Sequence, residues 1–218
     1  MTTRARSRLT LSDAGREFWR HPSPWCLALT FIAALTARIA VGDWQLTDAV
    51  LPALMIVAFP VFEWVIHVGI LHWRPRSAGR FTLDPLLARK HREHHRDPRQ
   101  VELIFIPRQT LLWLIPTAVA VPLLVSNRLG LGLTSVVVLT GLGLVYEWTH
   151  YLIHTDYKPK TSAYRSIWRN HRQHHFKNEN YWFTITTTGT ADRLLGTHPD
   201  QSTVPTSPTA RNLHGATR

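Results

Sequence analysis

Long apolar stretches alternate with polar, arginine-rich segments along the 218 residues of the chain. Apolar runs cover residues 25–41, 49–71, 110–125 and 129–154. As helices, such runs approach or reach the length that crosses a ~30 Å hydrocarbon core. The third run is the shortest and contains two prolines, so it is expected to be kinked or to extend back towards Val101. The pattern predicts an all-α polytopic membrane protein with about four transmembrane helices.

The segments between and around these runs predict the domain organisation. Residues 1–24 contain five arginines and few apolar side chains, which is typical of a cytosolic tail with at most a short amphipathic piece near Glu17. Residues 25–198 form the predicted membrane domain. Residues 199–218 are rich in Ser, Thr and Pro, so they are expected to be a disordered tail.

The formal net charge of +11 arises from 25 lysines and arginines that flank the apolar runs. Nine lie in residues 73–109 and nine follow His154, whereas the loops 42–48 and 126–128 contain a single arginine between them. The positive-inside rule therefore predicts a multi-pass protein with both termini in the cytosol. Abundant arginine and alanine favour a bacterial plasma membrane. Nucleic-acid binding is excluded as the explanation of the charge, because no motif of a nucleic-acid-binding fold accompanies it.

Ten of the thirteen histidines fall into four clusters. The clusters are two pairs and two His-x-x-His-His triplets, namely His67 with His72, His91 with His94 and His95, His150 with His154, and His171 with His174 and His175. Residues three and four apart lie on one face of a helix, so each triplet presents three imidazoles together. The first pair is five residues apart, or about 140° around an ideal helix. The helix is therefore expected to end or deform before the second histidine of that pair.

Imidazoles in such numbers predict a metal site at the cytosolic helix ends. Ten nitrogen ligands are too many for one ion, but two ions would each have about five and an open position. Zinc sites usually stop at four ligands, so the larger shell favours iron, which activates O₂ for attack on an unactivated C–H bond. Nearby carboxylates are candidate acceptors for imidazole N–H groups, and they are Glu63, Glu93, Glu147 and Asp156.

The four histidine motifs resemble those of the fatty acid hydroxylase and sterol desaturase superfamily, over about residues 60–198. The segments His-His-Phe-Lys-Asn-Glu-Asn-Tyr-Trp-Phe (174–183) and Asp-Arg-Leu-Leu-Gly-Thr (192–197) are most similar to the fatty acid 2-hydroxylase branch. Two positions differ from that branch, since Thr184 replaces the usual glycine and Ala191 an aromatic residue. The resemblance implies a four-helix membrane bundle with a cytosolic helical cap, two irons held by all ten clustered histidines, and insertion of one oxygen atom from O₂.

The resemblance also implies the reaction partners. The expected substrate is a membrane lipid, with a fatty acyl chain favoured, and zinc is expected only as a substitute for iron in preparations. The sequence has no His-Pro-Gly-Gly segment of a fused cytochrome b5, so electrons are expected from a separate ferredoxin or cytochrome b5.

Three other interpretations remain open at this point. A sterol or carotenoid oxidase, or a lipid desaturase, would use the same metals on another lipid. A zinc hydrolase is disfavoured, because the sequence contains no His-Glu dipeptide and so no His-Glu-x-x-His helix. A membrane metal carrier or sensor would bind the metal without consuming O₂.

Overall fold

The structure of the protein is a computed structural model that describes residues 9–215. The helices are α1 (Leu11–Phe18), α2 (Pro22–Val41), α3 (Thr47–Ile66), α4 (Leu86–Arg96), α5 (Val101–Ile104), α6 (Arg108–Val125), α7 (Leu129–His154), α8 (Ser162–Phe176) and α9 (Thr190–Leu194). A π-helical turn (His67–Leu71) extends α3, a hairpin joins β1 (Arg76–Ala78) to β2 (Phe81–Leu83), and a 3₁₀ turn (Leu213–Gly215) lies near the end. The all-α prediction is confirmed, and this hairpin is the one strand pairing among residues 9–215.

Four segments are long and apolar enough to cross a membrane, as the hydropathy pattern predicts. They are Pro22–Val41, Thr47–Leu71, Val101–Val125 and Leu129–His154. The third segment extends back to Val101 as expected, with Pro116 and Pro122 inside α6. Large apolar side chains on the outside of the bundle, such as Leu112 and Leu124, are about four-fifths exposed, at 79% and 82%. Such surface is stable against lipid rather than water, so the chain is a membrane protein.

The longest helix, α7, is the centre of the bundle and contacts α2, α3 and α6. Its glycines allow neighbouring helices to approach closely. A Cβ atom at Gly132 would lie 3.0 Å from the carbonyl oxygen of Pro122 on α6, and one at Gly143 would lie 3.1 Å from Leu27 on α2. These contacts hold α7 against its neighbours along its length.

At the end of the bundle away from the histidines, charged side chains connect the two short loops. Arg38 is expected from its position to extend towards the membrane interface, but the structure buries it. Its guanidinium lies 3.1 Å from both Asp43 and Asp48 and donates to Thr134 Oγ1 at 2.8 Å. Arg128 also binds Asp48, at 2.6 Å. Paired carboxylates offset the cost of burying the guanidinium, which explains why it need not reach solvent.

The histidine end of the bundle is covered by the chain after α3 and after α7. The π turn carries an i→i+5 hydrogen bond from His72 N to His67 O, 2.9 Å long, and confirms the predicted deformation. Beyond it lie the hairpin, α4, α8 and α9, which form the predicted helical cap. The hairpin was not predicted, since the eight residues 76–83 include only a short, exposed and weakly alternating pattern.

Both ends of the described chain pack onto this cap and the bundle. The expectation of a disordered tail over 199–218 is wrong for residues 199–215, while 216–218 lie outside the described residues. Ser207 N donates to Lys177 O at 2.7 Å, and Leu213 is almost fully buried. A polar composition does not prevent order here, because the surrounding protein satisfies the backbone groups of the segment. At the other end α1 packs through Phe18 against Tyr151 of α7, and the predicted N-terminal tail over 1–24 is described from residue 9.

Candidate metal centre

The structure brings the ten clustered histidines together as two groups of five. The first histidine group is His67, His72, His91, His95 and His174. The second histidine group is His94, His150, His154, His171 and His175. Within each group the five candidate ligand nitrogens lie within 4.8 Å of one another. The groups are adjacent, because the ring centroids of His95 and His175 are 4.1 Å apart.

The two groups are built in the same way from different helices. The first takes both histidines of the α3 end, the i and i+4 histidines of α4, and one histidine of α8. The second takes both histidines of the α7 end, the i and i+4 histidines of α8, and one histidine of α4. Neighbouring residues therefore serve different groups, as His174 and His175 do. This follows from helix geometry, since adjacent side chains point about 100° apart.

The Nε2 atoms face one another across each group. In the first group the Nε2–Nε2 distances are 3.1 Å for His67 with His91, 3.2 Å for His95 with His91, and 3.2 Å for His72 with His174. In the second group the corresponding distances are 3.0 to 3.2 Å, for the pairs His94 with His154, His171 with His154, and His175 with His171. Two nitrogens at right angles and about 2.1 Å from one metal are about 3.0 Å apart, so the spacing matches a shared ion.

Backbone carbonyls determine which nitrogen of several rings is free. Nδ1 of His67 lies 2.6 Å from the carbonyl oxygen of Phe183, and Nδ1 of His174 lies 2.8 Å from that of Tyr181. Nδ1 of His95 lies 2.8 Å from the carbonyl oxygen of Ala210. A carbonyl oxygen only accepts, so Nδ1 must carry the hydrogen and donate it. In a neutral ring the lone pair is then on Nε2, which points into the group.

Burial keeps the cap histidines neutral. It lowers the pKa of His95 to about 3, and the pKa values of His91, His94, His171, His174 and His175 lie well below the ordinary range, with desolvation as the largest cause and neighbouring imidazoles adding to it. Neutral imidazoles with converging lone pairs repel one another unless a cation lies between them. The residues of both groups therefore fit a metal ion.

The second group lacks most of the carbonyl acceptors found in the first. His150 Nδ1 lies 3.1 Å from the carbonyl oxygen of Ile104. Within residues 9–215, however, the buried Nδ1 atoms of His94, His171 and His175 have no protein hydrogen-bond partner. The Nε2 atom of His150 likewise has no partner, as expected for a nitrogen that is free to bind a metal.

The four carboxylates predicted to accept from imidazoles have other partners instead. Glu63 is buried and accepts from the backbone N–H groups of Ile185 and Thr186 and from the Thr186 hydroxyl. Asp192 binds the same segment, accepting from Phe183 N at 2.8 Å and from Thr184 N at 2.9 Å. These carboxylates therefore fix the irregular segment 181–186, whose carbonyl groups contact His67 and His174. Asp192 was not predicted to have this role, although it lies in the motif that carries the family resemblance.

Glu147 has the same arrangement beside the second group. Its buried carboxylate accepts from Ile106 N at 3.0 Å and from Ser23 Oγ at 2.6 Å. It thus holds the segment whose Ile104 carbonyl contacts His150. The side chains of the remaining two carboxylates are 43% exposed for Glu93 and 63% exposed for Asp156. Glu93 pairs with Lys90, and Asp156 lies 3.9 Å from Arg99.

Comparison with known proteins assigns the chain to a family. The family model described as "Fatty acid hydroxylase" matches residues 52–197, which include every histidine of both groups. The chain belongs to the fatty acid hydroxylase family. Two similar curated proteins are the dihydroceramide fatty acyl 2-hydroxylases FAH2 and FAH1 of Arabidopsis thaliana. Each is 24% identical to the chain, over 84% of this chain and 73% of its own length. No solved structure matches.

Family membership confirms that the protein is an oxidoreductase. The similarity to the two Arabidopsis proteins confirms the predicted resemblance to the 2-hydroxylase branch. The two departures from that branch lie in the segment that supports the first histidine group, at Asp192. The Thr184 hydroxyl donates to Asp192, and Ala191 is fully buried beside it. The three histidines that belong to none of the four sequence clusters also lie outside both groups: His21 stacks on Phe105, His198 contacts Asn170, and His214 contacts a backbone carbonyl.

Proposed function

We propose that the protein is an O₂-dependent di-iron hydroxylase that inserts one oxygen atom into a C–H bond of a membrane lipid, with a fatty acyl chain as substrate. The ten clustered histidines are the proposed metal ligands, five to each ion. The activity for which the Arabidopsis relatives are named, fatty acyl 2-hydroxylation, supports the choice of an acyl chain. The observation that carries the proposal is the pair of buried five-histidine groups at the end of a membrane bundle.

Five nitrogen ligands in each group favour iron over zinc, which usually takes four. Iron bound there would supply the activation of O₂ that attack on an unactivated C–H bond requires. The chain itself contributes three functions. The histidines hold the metals, the carbonyl groups of Tyr181, Phe183 and Ala210 fix ring orientation, and burial of the rings beneath the cap excludes bulk water. Phe183 lines the first histidine group, with its ring centroid 5.1 Å from that of His174. Its apolar ring lowers the polarity of the surroundings of that group.

The reaction also defines what must come from outside. Converting R–H and O₂ into R–OH and water consumes two electrons and two protons. The sequence contains no His-Pro-Gly-Gly segment of a cytochrome b5 haem domain beside the histidine groups, so we propose a separate one-electron donor of the ferredoxin or cytochrome b5 type. Substrate reaches the histidines from the bilayer, because both groups lie at the ends of membrane-spanning helices.

The proposed orientation places the histidines and both termini on the cytosolic side of a bacterial plasma membrane. Eighteen of the 25 lysines and arginines lie on the histidine side of the spans, in residues 73–109 and after His154. Tags at residues 1 and 218 should therefore be protected from labelling in intact cells. Labelling of either tag from outside would contradict this orientation.

The decisive experiment compares the lipids of cells with and without the gene, together with the metal content of the purified protein. We expect lipids that are heavier by one oxygen atom, and about two irons per chain after preparation without chelators. Lipids lighter by two hydrogen atoms would identify a desaturase instead. Full turnover with zinc alone, or with one metal per chain, would contradict the di-iron proposal.

A further inference from the structure

The outer face of α8 carries a positively charged aromatic surface directly behind the histidines. Its members are Arg165, Trp168, Arg169, Arg172 and Phe176, and they are called the α8 outer face. They follow a spacing of three and four residues, so they share one side of the helix. His174 lies on the opposite side, and His171 and His175 lie on the flank next to Trp168; all three are fully buried.

Side-chain contacts make this face a defined surface rather than a set of separate charges. The Arg172 guanidinium lies 4.8 Å from the ring centroid of Trp168 and 5.1 Å from that of Phe176. Arg211 of the C-terminal segment lies 5.8 Å from the Phe176 ring. Beside them is a shallow cleft of about 270 Å³, lined only by neutral and cationic residues. Stacked arginines and exposed aromatic rings are the residues most enriched in protein–protein interfaces.

The charge of the face has one sign. Helix α8 contains no aspartate or glutamate, and Arg165, Arg169 and Arg172 form no salt bridge with any residue of 9–215. Burial and the neighbouring Arg99 lower the pKa of Arg172 below its ordinary value, while Asp156 acts in the opposite direction. A larger cleft of about 980 Å³ lies beside α4, next to the residues that flank the hairpin, but its arginines alternate with Asp84, Glu93 and Asp97. Of these two surfaces, the α8 outer face is therefore the better match to an acidic partner.

The position of the face favours a soluble protein over a lipid headgroup. The inner side of α8 contacts the ends of the bundle, where His171 lies 3.0 Å from His154 of α7. The outer side of α8 faces away from this contact with the bundle. Anionic headgroups lie beside the membrane-spanning helices, so the orientation favours a soluble protein over a lipid headgroup.

The face is also adjacent to the second histidine group. Phe176 is 40% exposed and directly follows His175, and the centroids of the two rings are 6.3 Å apart. A protein that covers Phe176 would lie one side chain from a group of five imidazoles. The first histidine group has no such exposed neighbour on α8, since His174 faces Phe183 and Tyr181.

We propose that the α8 outer face is the docking surface for an acidic one-electron carrier protein, and that electrons enter through the second histidine group. This inference rests on the proposed function, which requires two electrons for each oxygen atom inserted. Two successive encounters with a reduced carrier supply them, and each carrier molecule is oxidised by one electron. Complementary charge raises the rate of such encounters by about 10- to 1000-fold at low ionic strength.

The test measures electron transfer and not product. The iron-loaded protein is placed in nanodiscs of zwitterionic lipid and mixed with a reduced acidic [2Fe–2S] ferredoxin or cytochrome b5 haem domain, and oxidation of the carrier is followed by absorbance. The double variant Arg169→Glu with Arg172→Glu should lower the second-order rate constant at least about tenfold. The hairpin variant Arg76→Glu with Arg80→Glu makes the same change in net charge and should lower it less than about twofold. Both variants should keep the metal content of the parent protein.

Four outcomes distinguish the alternatives. A steep fall of the parent rate with salt, lost in the α8 variant, supports docking on this face. Equal losses in both double variants would show a general charge effect and overturn the proposal. A defect seen only in nanodiscs of anionic lipid would assign the arginines to the membrane and also overturn it. Normal carrier oxidation without hydroxylated lipid would leave docking intact while contradicting the proposed substrate, so the two proposals fail separately.

Discussion

The two histidine groups have the same construction but different support. Three rings of the first group donate Nδ1–H to backbone carbonyls, and two buried carboxylates, Glu63 and Asp192, hold the segment that supplies two of these carbonyls. In the second group His150 alone has such an acceptor within the described residues. The geometry of the first group therefore depends on segments distant in sequence, whereas that of the second depends mainly on helix register.

This difference has a consequence for metal binding. Outer hydrogen bonds that orient ligating imidazoles contribute about 10- to 100-fold in metal affinity. The first group should be sensitive to changes in residues 181–192 and in the C-terminal segment, and the second group should not. The second group should instead respond to changes near Glu147 and Ile104.

The largest expected effect comes from removing one imidazole from either group. His174→Ala removes a nitrogen from the first group, and His175→Ala removes one from the second. Each variant should abolish turnover and reduce bound iron from about two per chain towards one, because a missing ligand both weakens binding and misplaces the open position. Iron analysis and lipid product measure the two effects. A variant with two irons and normal turnover would remove that histidine from the ligand set.

A smaller effect is expected from shortening the C-terminal segment. Truncation after Ser207 removes the Ala210 carbonyl that contacts His95 and the buried side chain of Leu213. Iron should be lost from the first group alone, with about 10- to 100-fold lower affinity. Leu213→Ala keeps the carbonyl and tests packing separately. Unchanged iron binding in the truncated protein would show that the segment only covers the site.

The membrane spans and the histidine clusters can be predicted from the sequence, but the hydrogen bonds that orient the imidazole rings cannot. Hydropathy predicts the spans, and the five-residue spacing of His67 and His72 predicts the deformed turn. His174 and His175 belong to different groups, and predicting this would require the relative positions of four helices. The spacing of histidines within one helix does not provide those positions. The carbonyl groups of Phe183 and Ala210 are invisible in the sequence, since every residue has a carbonyl and only the fold places it. The wrong expectation of a disordered tail has the same cause.

Replacing the carboxylates that hold the supporting segments should lower the iron affinity of one histidine group at a time. Asp192→Asn keeps the size of the side chain but leaves one acceptor oxygen for the donors of Phe183, Thr184 and Thr197. Iron affinity of the first group should fall about tenfold, the lower end of the effect of such outer contacts. Glu147→Gln should act in the same way on the second group, through Ile106 and the Ile104 carbonyl.

Competition with a chelator, followed by iron analysis, measures these affinities. Asp156→Asn is the matched control, because its side chain is 63% exposed and, among residues 9–215, is paired with Arg99 rather than with a histidine of either group. A loss in Asp156→Asn equal to that in Asp192→Asn would mean that charge near the site, and not the hydrogen bonds, determines the affinity.

The smallest effect is expected at His214, which tests where the first histidine group ends. Its Nε2 donates to the backbone carbonyl oxygen of His72 at 2.9 Å, so it contacts the main chain of a proposed ligand but not its ring. One such hydrogen bond contributes about 0.5–1.5 kcal/mol, and the π turn retains its own bond from His72 N to His67 O. His214→Ala should therefore keep at least about half of the turnover, as should His198→Ala, whose Nε2 lies 3.3 Å from the Asn170 amide. Turnover and iron content are measured side by side for both variants. If His214→Ala were inactive at normal expression and His198→Ala were active, the imidazole of His214 would belong to the first group and the proposed ligand set would be incomplete.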